Sequence, residues 1–207
     1  MLNVINKLVD KYQLTKTNKE GYLKIRQEYN NGNKSWDMFY TLICYSFNNQ
    51  IRFNSKGEYN MPFGKDRSSF NPTLEQKFIR FIDCLKNINI KFIHSDFRKL
   101  KINNLITNDF VYIDPPYLIT CASYNENGGW KEKDEIDLLN LLDKLNHNSV
   151  KFALSNVLES KGKSNDLLKE WSKKYNIHRL NVKYGNANYQ RKEKDDSTTL
   201  EVLITNY

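Results

Sequence analysis

Apolar residues recur at helical spacing through the first 46 positions, and then the period changes. The opening MLNVINKLVDKYQL reads as an amphipathic helix over about residues 2–13, and 17-TNKEGYLKIRQEYNN follows with Tyr22, Ile25 and Tyr29 on one face. A third helix is predicted over 35-SWDMFYTLICYSF. In 50-QIRFNSKGEYNMPFG-64 polar and apolar residues alternate around Ser55-Lys56-Gly57, the pattern of a β-hairpin with a glycine-containing turn. Asn71-Pro72 then sets an N-cap before a proline at the first helical position. It opens a helix whose apolar face carries Leu74, Phe78, Phe81, Ile82 and Leu85.

From residue 88 strand-like and helix-like segments alternate. The predicted strands are 89-NIKFIHS, 109-DFVYID, 150-VKFALSN, 177-IHRLNVKY and 199-TLEVLIT, all rich in Val, Ile, Phe or Tyr. Helices are predicted over 131–147, with Ile136, Leu139, Leu142 and Leu145 in register, and over 164–175, with Leu167, Leu168, Trp171 and Tyr175. Such alternation defines an α/β layered sheet, which places ligands at the C-terminal ends of its strands. The chain therefore divides into a helical lobe with a hairpin, residues 1–87, and an α/β part, residues 88–207. Asp114 stands at one of the strand ends.

Composition narrows the class. At 207 residues, with 39% hydrophobic and 13% aromatic content, the chain can bury a core and is too apolar for a disordered segment. No run of 18 apolar residues spans a membrane, and the N-terminus has neither the basic start nor the small-residue cleavage site of a signal peptide. Cys44, Cys84 and Cys121 show no C-x-x-C spacing and are expected as reduced thiols in a cytoplasm. His94, His147 and His178 are scattered, so no metal site is expected. A net charge of +8 favours a polyanionic partner, nucleic acid first, although a Lys- and Asn-rich composition also follows from an AT-rich genome.

The strongest local signal is 109-DFVYIDPPYLIT-120, where an apolar run ends at an aspartate, two prolines and a tyrosine. A proline-rich turn with a tyrosine packed over it accounts for part of this pattern. It does not require two prolines behind what is expected to be a buried acid. The alternative is a corner that holds an exocyclic amine. The amino group of adenine is a poor nucleophile because its lone pair is delocalised into the ring. Hydrogen-bond acceptors on both of its N–H groups favour the pyramidal geometry that localises the pair. Asp114 offers a carboxylate and Pro115 a carbonyl, while Pro115 and Pro116 fix φ and carry no N–H. Tyr117 offers a flat face for an extruded base.

These residues resemble the D-P-P-Y motif of amino-methyltransferases. With Thr120, Tyr124, the Ser155-Asn156 pair and the closing 200-LEVLITNY, the chain is similar to the Dam-type, D12 class, DNA adenine-N6 methyltransferases, nearest to the phage versions, over essentially its whole length. The fold implied is a Rossmann-like methyltransferase sheet with a target-recognition lobe. The cofactor implied is S-adenosylmethionine, and the partner is double-stranded DNA with a flipped adenine. The segment 47-FNNQIRFNSKGEYNMPFGK-65 resembles the target-recognition hairpin of that family. The resemblance implies that Arg52 reads a guanine edge, that Phe47 and Asn48 fill the space left by the flipped base, and that Gln50 and Pro62 lie against a neighbouring thymine. Arg52 paired with Glu58 across an exposed hairpin is the competing reading. Gln50 departs from the apolar residue of the relatives, so GATC is only the default target. Lys65, with Lys56 and Arg67, suits either a phosphate or a solvated turn. The segment 94-HSDF-97 resembles the family's cofactor-adenine segment, which makes Ser95 and Asp96 candidate cofactor-binding residues beside Asp114. A strand-ending Ser-Asp is also an ordinary turn.

The family's glycine-rich F-x-G-x-G cofactor loop is not found, and the one adjacent glycine pair, Gly128-Gly129, follows the corner instead. The resemblance therefore implies a chain that lacks the N-terminal cofactor segment: one half of a split enzyme whose partner supplies it in trans, a phage-encoded truncation, or a fragment of a longer reading frame. It also implies an unpaired apolar edge on the 109–114 strand, with the 89–95 strand detached from its neighbours. An inert DNA-binding remnant is the principal alternative. An RNA or protein-amide substrate is a further one.

Overall fold

The computed structural model describes residues 1–120, 129–180 and 199–207. Two compact units divide the chain at Ile93 and His94.

In the first unit four helices form: α1 (Leu2–Lys11), α2 (Lys19–Asn30), α3 (Trp36–Tyr45) and α4 (Pro72–Lys86). Asn18 caps α2 through Gly21 N–H at 3.0 Å, and Asn71 caps α4 through Leu74 N–H, also at 3.0 Å. The helical spacing read from the sequence places Tyr22, Ile25, Met38 and Leu42 in a fully closed core with Ile5 and Tyr59. Buried hydroxyls need partners, and three of them cluster here within reach of backbone carbonyls that accept their protons. Tyr22 Oη lies 3.0 Å from Ser46 Oγ and donates to the Met61 carbonyl, and Tyr59 Oη lies 2.5 Å from the same Ser46 oxygen.

The predicted hairpin is a chain reversal rather than a pair of strands. Two isolated antiparallel bridges, Phe53–Tyr59 and Ser46–Phe63, hold it. The Asn54 side-chain oxygen takes over turn hydrogen bonds by accepting from Lys56 and Glu58 N–H, which competes with a regular ladder. Gly64 lies where Ser68 and the Ser46 carbonyl close in. A Cβ there would sit 2.3 Å from Ser68 Oγ and 2.7 Å from Ser46 O. Gly64→Ala is therefore expected to lower the stability of this unit by about 1–3 kcal/mol, read as a shift of the urea midpoint. An unchanged midpoint would show that the bridge at Ser46 yields freely.

Helix α4 corrects its expected apolar face. None of its residues is buried. Leu74 and Phe78 pack at the edge of the core, Phe78 against the Tyr40 ring at 4.9 Å, and Phe81 is 57% exposed. The face exists in the sequence, and Leu74, Phe78, Ile82 and Leu85 along it are half-buried, while Phe81 is exposed.

The second unit is a five-stranded mixed sheet. Its strands are β1 (Phe110–Ile113), β2 (Lys151–Ser160), β3 (Lys163–Ser164), β4 (Asn176–Leu180) and β5 (Leu200–Thr205), in the order β1-β2-β5-β4, with β3 paired to β2. The β1–β2 pair is parallel and is connected through α5 (Glu132–His147), whereas β5 runs antiparallel to both of its neighbours. Leu138, Leu142 and Leu145 of α5 pack with Phe152 and Leu154 of the central β2 and with Val202 and Ile204 of β5. Leu168 of α6 (Asp166–Ser172) closes the same cluster. Helix α6 ends three residues short of the predicted 175, because the chain must already enter β4 at Asn176. The remainder of the predicted 177–184 strand lies outside the described residues.

The strand expected at 89–95 does not form. Residues 89–96 have no regular structure, and Phe92 and Ile93 are 74% and 64% exposed. Apolar β-branched composition is not sufficient without a hydrogen-bonding neighbour. On its side away from β2, β1 has no partner among the described residues, and Phe110 and Tyr112 are exposed along it.

Candidate functional site

Strand β1 delivers Asp114 one residue past its end. The register pairs Ile113 with Leu154, so the next residue of β2, Ser155, stands beside the corner. Tyr117 folds back over this point. Its hydroxyl donates to Asp114 Oδ1 at 2.9 Å and lies 3.2 Å from Ser155 Oγ. Burial, followed by the adjacent carboxylate, pushes the Tyr117 phenol up to about 12, so it keeps its proton and acts as a donor at neutral pH. The prolines close the turn, and Thr120 N–H returns to the Tyr117 carbonyl at 3.0 Å.

Asp114 is exposed rather than buried, which corrects the expected environment of the acid. The open side of β1 is the cause, since no chain covers that flank among the described residues. One carboxylate oxygen is occupied by Tyr117, and the other has no partner among the described residues. The corner thus holds a fixed acceptor beside the Pro115 carbonyl. Ser155 had been read only as part of the resemblance, and the parallel β1–β2 register is what brings it into the group. Tyr124 and Cys121 lie outside the described residues.

Asp96 is bonded within its own turn. It accepts from Arg98 N–H at 2.9 Å and pairs with the Arg98 guanidinium at 3.2 Å, while Ser95 Oγ donates to the neighbouring Asp96 carbonyl. Arg98 is held in turn by Asp137 at 2.7 Å and by Asp134, two carboxylates of α5. The Asp96 carboxylate is therefore committed to a local ion-pair cluster.

In the first unit, the candidate DNA-contacting residues gather around the hairpin. The Ser46–Phe63 bridge and the hydrogen bond from Phe47 N–H to the Pro62 carbonyl, 2.8 Å, bring Phe47, Asn48 and Pro62 together. Asn48 and Pro62 are exposed, Phe47 is half-buried, and Asn48 adopts φ +53°, a left-handed conformation that asparagine tolerates. Gln50 and Lys65 are exposed, and the Gln50 carbonyl accepts from Tyr59 Oη. Arg52 does not pair with Glu58. Its Nε donates to Asn60 Oδ1 and its Nη2 to the Asn60 carbonyl, both at 2.8 Å, while Glu58 accepts from Asn54 Nδ2. The Phe53–Tyr59 bridge explains the exchange, because it places 52 opposite 60 and 54 opposite 58. A symmetric count about the turn would have exposed this register in the sequence.

A mixed α/β sheet with an acceptor-rich corner at the end of β1 defines a protein of the α/β class. The D12 class N6 adenine-specific DNA methyltransferase family matches residues 2–186, and the chain belongs to that family. It is similar to the Type II methyltransferase M.FokI of Planomicrobium okeanokoites, at 49% identity over 98% of this chain and 31% of that protein. The Modification methylase StsI of Streptococcus sanguinis is 39% identical over 100% of this chain and 32% of its own length. The Modification methylase LlaI of Lactococcus lactis subsp. lactis is 33% identical, again over 100% and 32%. The chain thus spans about a third of the length of these relatives.

Proposed function

We propose that the chain carries the acceptor half of a site-specific DNA methyltransferase, holding adenine N6 for methylation from S-adenosylmethionine. The observation that carries this reading is the Asp114–Tyr117–Ser155 group at the end of β1, in a chain of the D12 family. The free Asp114 oxygen accepts one N–H of the exocyclic amine and the Pro115 carbonyl accepts the other. The Tyr117 hydroxyl anchors the carboxylate, so its ring lies over the corner as a stacking face. Positioning of the amine supplies most of the rate, and its proton leaves easily once the nitrogen has become cationic. The hairpin bearing Phe47, Asn48, Gln50, Arg52, Pro62 and Lys65 reads the duplex.

Ser95 and Asp96 are the donor-binding candidates on this chain, and the Asp96 carboxylate also pairs with Arg98. We assign the remaining donor-binding elements to additional chain that pairs with the edge of β1 left unpaired among the described residues, from a longer protein or in trans. Incubating the 207-residue chain with duplex DNA and labelled S-adenosylmethionine, with and without a donor-binding segment from a relative, tests the reading. Transfer to adenine is expected when the segment is present. Absence of transfer under both conditions, with DNA binding intact, would favour an inert DNA-binding role.

A further inference from the structure

Asn60 meets Arg52 at three points. Its backbone N–H donates to the Arg52 carbonyl at 3.0 Å, its carbonyl accepts from Arg52 Nη2, and its side-chain oxygen accepts from Nε. The base beneath it is rigid. Tyr59, the preceding residue, is 1% exposed, and both its N–H and its carbonyl are gripped by the Asn30 side chain of α2, at 2.8 and 3.1 Å. Its hydroxyl is tied to Ser46 and Gln50. Arg52 has five N–H donors in one plane, and Asn60 takes the two on its Nε–Nη2 edge. The end-on edge, one N–H each from Nη1 and Nη2, is left as a parallel two-donor fork. That fork matches the O6 and N7 acceptors that guanine shows in the major groove.

We propose that Asn60 is a positioning residue for base recognition, which fixes the Arg52 guanidinium so that its end-on fork reads one guanine of the target duplex. The proposal rests on the reading of the hairpin as the DNA-contacting element, and it concerns specificity rather than methyl transfer. Freezing a long side chain in advance removes an entropic cost from binding, and it denies the guanidinium the alternative poses with which it would accept other bases. Glu58 makes no such contact with Arg52, because the register commits it to Asn54.

The test selects bound duplexes from a randomised pool with the 207-residue chain, without donor, and compares base preference position by position. Arg52→Ala is expected to lose the preference for guanine at one position. Asn60→Ala is expected to weaken the same preference by about tenfold and leave the other positions unchanged. Asn60→Asp, which retains both acceptors, is expected to keep it. Thermal melting of each variant checks that the hairpin lobe is folded. The proposal is overturned if Asn60→Ala keeps full guanine preference while Arg52→Ala loses it. It is also overturned if Asn60→Ala and Asn60→Asp erode every position alike, or if the unaltered chain selects no base at all. Methyl transfer enters none of these readouts, so failure here and failure of the methyltransferase reading are separable.

Discussion

Asp114→Ala is expected to lower methyl transfer to adenine by about 10²–10³-fold, the order associated with removing one pre-organised hydrogen-bonding group from a reacting centre. Duplex binding and the melting temperature should remain close to those of the unaltered protein. The carboxylate is exposed, and its one bond among the described residues is to Tyr117. Loss of the side chain therefore removes little packing, and Tyr117 keeps Ser155 within 3.2 Å. The cost falls on the amine, which loses the acceptor that would localise its lone pair. Tyr117→Phe separates the two roles of that residue. The ring face persists, but Asp114 loses its anchor, so a smaller loss of about tenfold is expected, appearing in kcat rather than KM. Both variants are assayed by steady-state and single-turnover transfer in the complemented protein, with DNA affinity measured alongside. An Asp114→Ala protein that transfers methyl groups at the unaltered rate would remove the corner from the mechanism. A rate that falls only in step with lost folding would do the same.

How far the sequence foretold this site depends on the kind of interaction involved. Helices α1 to α3 and α5 were legible because their apolar positions repeat at 3.6 residues and pack on a core that the same residues create. Asn71-Pro72 announced α4 because capping is local chemistry, encoded within four residues. The segment 89-NIKFIHS misled because a strand is a relation between two segments, and composition describes only one of them. The burial of Asp114 was misjudged for the same reason. A strand end is enclosed only if both flanks of the strand are covered, and β1 is paired on one. Ser155 and Asn60 depend on register, the first across a parallel pair and the second across a chain reversal. Only the second register could have been counted from the turn outward.

The largest effect on stability is expected at Glu135, a carboxylate with no exposed surface and no cation hydrogen-bonded to it among the described residues. Its Oε2 accepts from Trp130 Nε1 at 2.6 Å, and its Oε1 accepts from Asn156 Nδ2 at 3.2 Å and Asn165 Nδ2 at 3.0 Å. These donors come from three places: the approach to α5, the middle of β2 and the N-cap of α6. Both asparagines are themselves 1% exposed. Glu135→Ala strands two buried amide donors and a half-buried indole N–H. Each unsatisfied group costs about 1–3 kcal/mol, and allowing for non-additivity the total is expected near 4 kcal/mol. Glu135→Gln keeps an acceptor for the two asparagines but turns an NH₂ toward the Trp130 N–H, so about 2 kcal/mol is expected.

The protein contains three tryptophans, and Trp36 alone lies in the first unit, so a Trp36→Phe background leaves Trp130 and Trp171 to report on the second. Urea unfolding followed by their fluorescence should rank the variants, with alanine well below glutamine and both below glutamate. A Glu135→Ala protein within about 1 kcal/mol of its parent would mean that water enters and satisfies the donors. The consequence reaches the corner, because Asn156 follows Ser155 on β2. When the carboxylate that fixes Asn156 is lost, the strand that supplies the third member of the Asp114–Tyr117–Ser155 group loses one of its anchors. Glu135→Ala should therefore lower transfer by more than its effect on the folded fraction alone.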